Sequence, residues 1–516
     1  MYSFKYSRYT YYIIIVSFVA RCILSISFQL GNDESYYFTY AVQPDWNHFD
    51  HPPLVGLFIR MFTFNLHIVN DFTLRLTAII SAAVSTYLIF LIGTSIKNSR
   101  TGFIAAVLYN ASFYSGIIAG LFILPDSPQM VFWLAAIYTA IKLIIGNAPT
   151  KERLYFILFG LYAGLATMCK IHGAFLFTGL GLYFLLCDRS YFKKPYWYIS
   201  LLIYLLIISP ILLWNTGNDF IMFKFQGERI QVHRAFVNFN SFITTLSGQL
   251  FYNNPINIII YILCAGKVKQ VFPKNKIPNA LKCFALPIII ATCFISLFRT
   301  TLPHWSGPGF IPLMLLSGSV IDAYIDKGKY RLQRWMYASA SLMIVAVILS
   351  VPLINFYPGT LGSKQMPRFG AGDFTLDMYG WKDMKNEFSK IRQLDIDNGL
   401  MLPGDPVVID KWFPACHYYL YITYPLKIRT VGLGKINSLH KFAWLNRLEG
   451  NIKKGENAYY INTSENYKDP EAIYVNDFEK ITLVKRIWQQ RNQKEARYWE
   501  VYRLEGARRE LGTPVE

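Results

Sequence analysis

Apolar runs of about twenty residues recur through the first two-thirds of this chain. A helix crossing a bilayer needs ~20 mostly apolar residues. Lipid-exposed backbone must satisfy its own polar groups, which leaves helices as the way to use such runs. The runs fall at approximately 11–30, 72–93, 102–124, 127–146, 154–169, 171–187, 197–214, 243–264, 283–298, 306–324 and 335–355. Lys170 interrupts the pair 154–187, which also reads as one long broken element. From about Phe356 the sequence reads as ordinary water-soluble protein. The expectation is a polytopic α-helical membrane domain over 1–355, with about eleven transmembrane helices, and a soluble α/β domain over 356–516. A hydrophobic share of 53% against 16% charged residues fits a mainly membrane-embedded chain.

The formal net charge of +19 would suggest nucleic acid in a soluble protein. Here the basic residues collect in short loops between apolar runs, and no nucleic-acid fold signature accompanies them. With the N-terminus inside, the inner loops hold Lys97 and Arg100; Lys151 and Arg153; Arg189, Lys193 and Lys194; Lys267, Lys269, Lys274, Lys276 and Lys282; and Lys327, Lys329, Arg331 and Arg334. The outer loops hold only Arg60, Lys170, Lys224, Arg229, Arg234 and Arg299. That bias orients the chain and places its tail on the outer face. Lys5 and Arg8 precede the first run without a small-residue cleavage site, so it reads as a retained helix. The seven cysteines are scattered and form neither a disulfide framework nor a zinc motif.

The stretch Phe28–Arg60, between the first two apolar runs, is long for a connector. It holds Asp33, Glu34, Asp45, His48, Asp50 and His51 among aromatics and ends its polar part at Pro52-Pro53. Such acids also occur in plain solvated loops, but ionisable groups at a membrane surface beside apolar sequence point to function. The residues after the proline pair, LVGLFIRMFTFNL, read as a short interfacial helix. Asp126 stands at a membrane edge between Pro125 and Pro128, where it can cap the next helix, serve a site, or both. Residues 215–242 are amphipathic and basic, suited to gating or to lying inert at the interface. Arg299, His304 and Trp305 lie at another helix end, where Arg and Trp also act as interfacial anchors. In the tail, PVVIDK, LKIRTVGL, NAYYINTS and ITLVKRIW read as strands. MYGWKDMKNEFSKIRQL and KWFPACHYYLYITY read as helices.

The acids Asp33, Glu34, Asp50 and Asp126 and the potential cations His51, Lys170, Arg299 and His304 are therefore all assigned to the outer side. Two function classes use such a set: ion-coupled transport, including movement of a lipid-linked sugar, and group transfer from a lipid-linked donor. Transport favours charges in mid-span and internal repeats. Here the span centres are nearly free of acids and the charges lie at the rim. Transfer outside the cell membrane needs a donor already carried across, such as a sugar on a polyprenyl phosphate. A carboxylate would take the proton from the attacking hydroxyl, and cations would steady the leaving phosphate.

Four motifs, DESYYF at 33–38, FDHPPLVG at 49–56, LPDSP at 124–128 and LPHW at 302–305, resemble those of bacterial family 39-type glycosyltransferases. These are relatives of the protein O-mannosyltransferases and aminoarabinose transferases, in the multi-spanning GT-C class. LLWNTGNDF and YGWKDM at 379–384 look similar as well. The resemblance covers the membrane domain and the start of the tail. It implies Asp33 as general base, with Glu34 orienting it or binding the acceptor. It implies His51 near the donor phosphate, with Asp50 beside it, and Asp126 lining the cavity. Arg299 and His304 fall in the segment that contacts phosphate in relatives, and Lys170 is a looser match. LPHW departs from a Pro-Asn-Trp-like run common among relatives. The implied reaction is single displacement with inversion, from a polyprenyl-phosphate sugar to lipid A, a lipid-linked glycan or a protein hydroxyl. No nucleotide or other cofactor is implied. Some members of the class use a divalent cation, but the acids here form no clear ligand set. The implied setting is a bacterial inner membrane.

Overall fold

The computed structural model describes residues 2–146, 149–231, 237–272 and 276–512. Arg234 and Lys274, counted above in the loop charges, and part of the amphipathic segment 215–242 lie outside the described residues. In chain order the main helices are α1 (Tyr2–Ser27), α2 (Asn32–Val42), α3 (Leu54–Phe62), α4 (Asp71–Ile96), α5 (Ser99–Asn110), α6 (Asp126–Ile145), α7 (Glu152–Cys169), α8 (Phe175–Cys187), α9 (Pro195–Thr216), α10 (Ile221–Ile230), α11 (Phe239–Tyr252), α12 (Pro255–Ala265), α13 (Val268–Val271), α14 (Lys276–Ser296), α15 (Gly307–Asp326) and α16 (Arg331–Phe356). The tail adds α17 (Trp381–Asp397) and α18 (Trp412–Tyr418). By contacts the chain divides into two compact units. The first is Met1–Leu24 with Trp46–Val347, and the second is Ser25–Asp45 with Ile348–Glu516.

Among the described residues, seven helical segments are long and apolar enough to cross a membrane: Phe4–Ser27, whose end extends into the second unit, Asp71–Ile96, Asp126–Ile145, Pro195–Thr216, Lys276–Ser296, Pro303–Asp326 and Arg331–Phe356. The last extends into the second unit. The remaining sequence-predicted spans also fall on helices, but shorter or broken ones. The 102–124 run is α5 followed by a π-turn at Tyr114–Ile118, and the 243–264 run is α11 and α12 with a break at Asn253 and Asn254. The 154–187 run is indeed broken: α7 stops at Cys169, Lys170 is extended, and a 3-10 turn at Ile171–Ala174 leads into α8.

Small residues let these helices approach. A Cβ on Gly93 of α4 would stand 2.6 Å from the Gly102 backbone of α5, and one on Gly160 of α7 would meet the Ser200 carbonyl of α9 at 2.3 Å. Close backbone contact of this kind supplies packing where lipid removes the hydrophobic drive between helices. Asn70 starts α4 by accepting from the Phe72 and Thr73 amides. At the far end of α4, Asp322 of α15 pairs with Lys97 at 2.6 Å and also binds Arg100.

The second unit is a five-stranded mixed sheet in the order β2-β1-β3-β5-β4. Its strands are β1 (Val407–Ile409), β2 (Thr430–Gly432), β3 (Ala458–Thr463), β4 (Phe478–Arg491) and β5 (Lys494–Ala507). β1 runs parallel to β2 and β3, while β5 is antiparallel to β3 and β4. The long β4–β5 hairpin turns on Asn492 and Gln493, both at positive φ (46° and 63°), as a two-residue turn with the right twist requires. Arg497 is buried between the Trp381 and Trp499 rings, 4.0 and 4.8 Å from their centres, and bonds Glu465 at 2.7 Å. Arg491, also buried, bonds Asp373 at 2.9 Å and the Thr375 hydroxyl at 2.6 Å.

Ser25–Asp45 lies with this tail, although in sequence it sits between the first two apolar runs. The amide of Leu30 donates to the Tyr421 hydroxyl at 2.8 Å, and the Trp381 amide donates to Gln29 Oε1 at 2.7 Å. His417 Nε2 meets Asn32 Oδ1 at 2.8 Å, its Nδ1 meets the Ser35 hydroxyl at 3.2 Å, and its ring stacks on Trp381 at 4.1 Å.

Candidate active site

The predicted residues other than Arg299 fall into two clusters, one in each unit. In the first unit the centre is Asp126. It opens α6, but its side chain does not cap that helix. Instead its carboxylate takes Lys170 Nζ at 3.0 and 2.7 Å and the Tyr114 hydroxyl at 2.9 Å. The Asp126 and Lys170 side chains are only 3% and 4% exposed, so each charge depends on the other.

The local fold makes this pair. Lys170 sits at the break after α7, where Gln129 of α6 donates to the Lys170 carbonyl at 2.9 Å and to the Ala166 carbonyl at 3.2 Å. Those are carbonyls that the end of a helix leaves open. Gly173 lets the chain turn tightly there, since a Cβ would come within 2.3 Å of the Thr167 amide. Tyr114 is brought in by the π-turn after α5. Gly307, the first residue of α15, leaves room for its ring, which a Cβ would meet at 2.4 Å.

His51 and His304 join this cluster. His51 interacts electrostatically with Asp50, Lys170, Arg229 and Asp126. Burial is the main cause that lowers its imidazole to about 4, aided by Lys170 and Arg229 and opposed by Asp50. It is therefore neutral near pH 7. His304 is in electrostatic reach of Lys170, Asp126, His51 and Arg229, and its ring lies 6.1 Å from that of Tyr252. Asp50 is buried, and its backbone carbonyl accepts from Gln226 Nε2 at 2.6 Å. Arg299 goes elsewhere: it donates to the Gln231 carbonyl at 3.3 Å, on the exposed side.

Three participants were missed as site residues in the sequence. Arg229 stacks 5.2 Å over the Trp305 ring. His172 lies 5.9 Å from the same ring and faces Lys170, Asp126, His51 and His304 electrostatically. Tyr114 bonds Asp126. The available signals were the basic amphipathic helix for Arg229 and the position of His172 two residues after Lys170. Tyr114 carried no signal, because it lay inside an apolar run.

In the second unit, Asp33 and Glu34 lie in the first turn of α2. Glu34 is buried, and its Oε2 accepts from the Gly31 amide at 2.9 Å, closing the start of the helix. Asp33 is exposed and stands in electrostatic reach of Asp377 and Cys416. Asp377 is pushed up to about 7, first by burial and then by Glu465. Arg497 and a hydrogen bond from Asn32 pull it down, and Asp33 raises it further. Burial drives His417 well below the usual imidazole range. A neutral ring whose Nε2 donates to Asn32 leaves Nδ1 to accept from the Ser35 hydroxyl. The ring thus fixes both sides of Asp33. Among the described residues, no group of three or more His, Cys, Asp or Glu is placed to hold a metal ion.

The fold, mainly helical with a small mixed sheet, is the GT-C membrane fold. Residues 50–214 match the family model described as dolichyl-phosphate-mannose-protein mannosyltransferase. The undecaprenyl phosphate-alpha-4-amino-4-deoxy-L-arabinose arabinosyl transferase of Pseudomonas aeruginosa (strain UCBPP-PA14) is 26% identical over 263 residues. The match covers 49% of this chain and 46% of that relative, so it spans just under half the relative's length. The crystal structure of ArnT from Cupriavidus metallidurans bound to undecaprenyl phosphate has the same fold. Its TM-score is 0.64 at 13% identity, covering 96% of this chain and 98% of that one. The apo structure of the same protein gives a TM-score of 0.63, also at 13% identity, with the same 96% and 98% coverage.

Proposed function

We propose that this protein is a membrane glycosyltransferase. It moves a sugar from a polyprenyl-phosphate donor to a hydroxyl or phosphate acceptor: lipid A, a lipid-linked glycan or a protein. The observation that carries the reading is the nearly solvent-free Lys170–Asp126 pair, set at a helix break within the stretch that matches the mannosyltransferase model. Burying a charged pair there costs more than an apolar packing would, so a functional demand is the economical explanation.

In this reading Asp33 accepts the proton as the acceptor oxygen bonds to the anomeric carbon. The bond from that carbon to the phosphate oxygen breaks, and its electron pair leaves with the polyprenyl phosphate. One displacement of this kind inverts the anomeric centre. Lys170 has three ammonium N–H groups and directs donors at both Asp126 oxygens, leaving one for the phosphate. Arg229 and the neutral imidazoles of His51 and His304 supply further donors, while Arg299 acts at the rim. Asp50 and Asp126 hold these cations in place. Glu34 orients Asp33 by fixing the start of α2. In this reading the reaction lies on the outer face of a bacterial inner membrane, an orientation that the loop-charge bias supports.

The test is transfer in liposomes from radiolabelled polyprenyl-phosphate sugars to a membrane extract. Asp33→Asn is expected to lower transfer by about 10²–10⁴, the usual worth of a general base, with the protein still folded. Substitution of Lys274 and Lys276 in an inner loop is expected to leave transfer unchanged. Normal transfer by Asp33→Asn would remove the proposed base. Movement of the lipid-linked sugar across the bilayer with no covalent change would instead make the protein a flippase or transporter.

A further inference from the structure

A cavity lies at the opposite end of α15 from Gly307 and His304. It measures about 350 Å³ and is lined by Leu263 of α12, by Lys267, Tyr324 and Lys329, and by the start of α16 at Tyr330, Arg331 and Leu332. Its walls are aliphatic or aromatic, and its charges are all positive. Lys267 and Lys327 both lie over the Tyr324 ring, at 5.2 and 5.6 Å from its centre. Two ammonium groups on one ring repel each other unless an anion comes between or beside them.

The nearby acids are engaged elsewhere. Asp322 is buried against Lys97 and Arg100, and Asp326 binds Arg100. None of the lining residues is acidic. Among the described residues, Lys329 and Arg331 make no ion pair. The first turn of α16 carries no acid either. Its early amides and helix dipole therefore add to the positive potential at the cavity wall.

We infer that this cavity binds a phosphate group, separately from the transfer chemistry. Lys267, Lys329 and Arg331 line the cavity and offer charged donors to a phosphate, and the aliphatic wall at Leu263 and Leu332 suits a lipid carrying that phosphate. Basic pockets between membrane helices take anionic headgroups in this manner. The loop-charge bias puts this end of α15 on the inner side, opposite the proposed transfer site.

The experiment uses the delipidated full-length protein in nanodiscs of phosphatidylcholine with a minor share of phosphatidylglycerol, and native mass spectrometry counts retained lipids. The wild type is expected to retain phosphatidylglycerol in preference to phosphatidylcholine. Lys267→Gln/Arg331→Gln is expected to lose that preference by about tenfold or more. Leu263→Trp, which fills the cavity and keeps every charge, is expected to lose it as well. Displacement by millimolar inorganic phosphate would support the site with phosphate itself as the ligand. Retention against inorganic phosphate supports it with the lipid as the ligand. The inference is overturned if no preference exists. It also fails if both variants bind as the wild type does, or if Arg189→Gln/Lys193→Gln, a change of equal charge away from the cavity, loses as much. Thermal unfolding of each variant separates lost binding from lost folding.

Discussion

The two charged clusters are built on opposite electrostatic plans. Around Asp126 in the first unit, opposite charges are matched at hydrogen-bond distance and cut off from water. Around Asp33 in the second unit, carboxyls crowd one another: Asp377 is held about half protonated near pH 7 by burial and by its acidic neighbours. A matched, dry cluster suits the recognition of a fixed phosphate, because its donors are aligned before the ligand arrives. A crowded, partly exposed acidic cluster suits proton uptake, because a carboxylate beside other carboxyls gains more from accepting a proton.

The largest expected effect comes from breaking the matched cluster. Lys170→Met leaves the Asp126 carboxylate buried with only the Tyr114 hydroxyl. Stability is expected to fall by about 3–5 kcal/mol, the usual cost of orphaning one partner of a buried pair. Lys170→Met/Asp126→Leu removes both charges and is expected to recover most of that loss without recovering transfer. Thermal unfolding in detergent and the transfer assay together read this out. If the double variant regains transfer, the pair is only structural and the cluster has no catalytic use.

A smaller effect is expected from Gly307→Ala. Its new Cβ would press on the Tyr114 ring at 2.4 Å and pull the hydroxyl from Asp126. Overpacking of this kind costs about 1–3 kcal/mol. Because the damage passes through one ring, Tyr114→Ala in the same chain is expected to cancel most of it, which a double-mutant cycle measures. Additive losses would mean that Gly307 serves some other contact.

These same residues show what could be read in advance. Membrane spans were legible because lipid imposes length and apolarity on them, and seven of the eleven predicted runs fall on described helices long and apolar enough to cross. Breaks inside the spans were less so. Lys170 announced its own break by its charge, whereas the π-turn that delivers Tyr114 is set by packing against Gly307, far away in sequence. In the tail, β1 to β4 and the helices at α17 and α18 were anticipated. β5 was not, because KEARYWEVYRLEGA mixes charged and apolar residues. Its inward Arg497 is polar, and only Trp381, Trp499 and Glu465 make that burial sensible. Asp33, His51 and Asp126 were picked out by motif. The grouping of Ser25–Asp45 with the tail was invisible, since it depends on hydrogen bonds spanning more than 350 residues, such as Asn32 to His417.

The smallest expected effect tests the crowded cluster through pH. The Asp377 carboxyl has its folded value near 7 against 3.8 for the ordinary group. Between those values the folded chain holds a proton that the unfolded chain has lost. Stability from this group is therefore fully present below about pH 4, falls as pH rises, and is flat once pH exceeds the folded value. Asp377→Asn cannot ionise. Near pH 4 it should match the wild type, and above pH 7 the two curves should stand apart, with the variant the more stable. Asp33→Asn removes one of the charges that raise Asp377, so its decline should level off at a lower pH than that of the wild type. Thermal unfolding from pH 4 to pH 8 measures both. An Asp377→Asn curve parallel to the wild type would mean that Asp377 is ionised throughout, and the contrast between a matched and a crowded cluster would collapse.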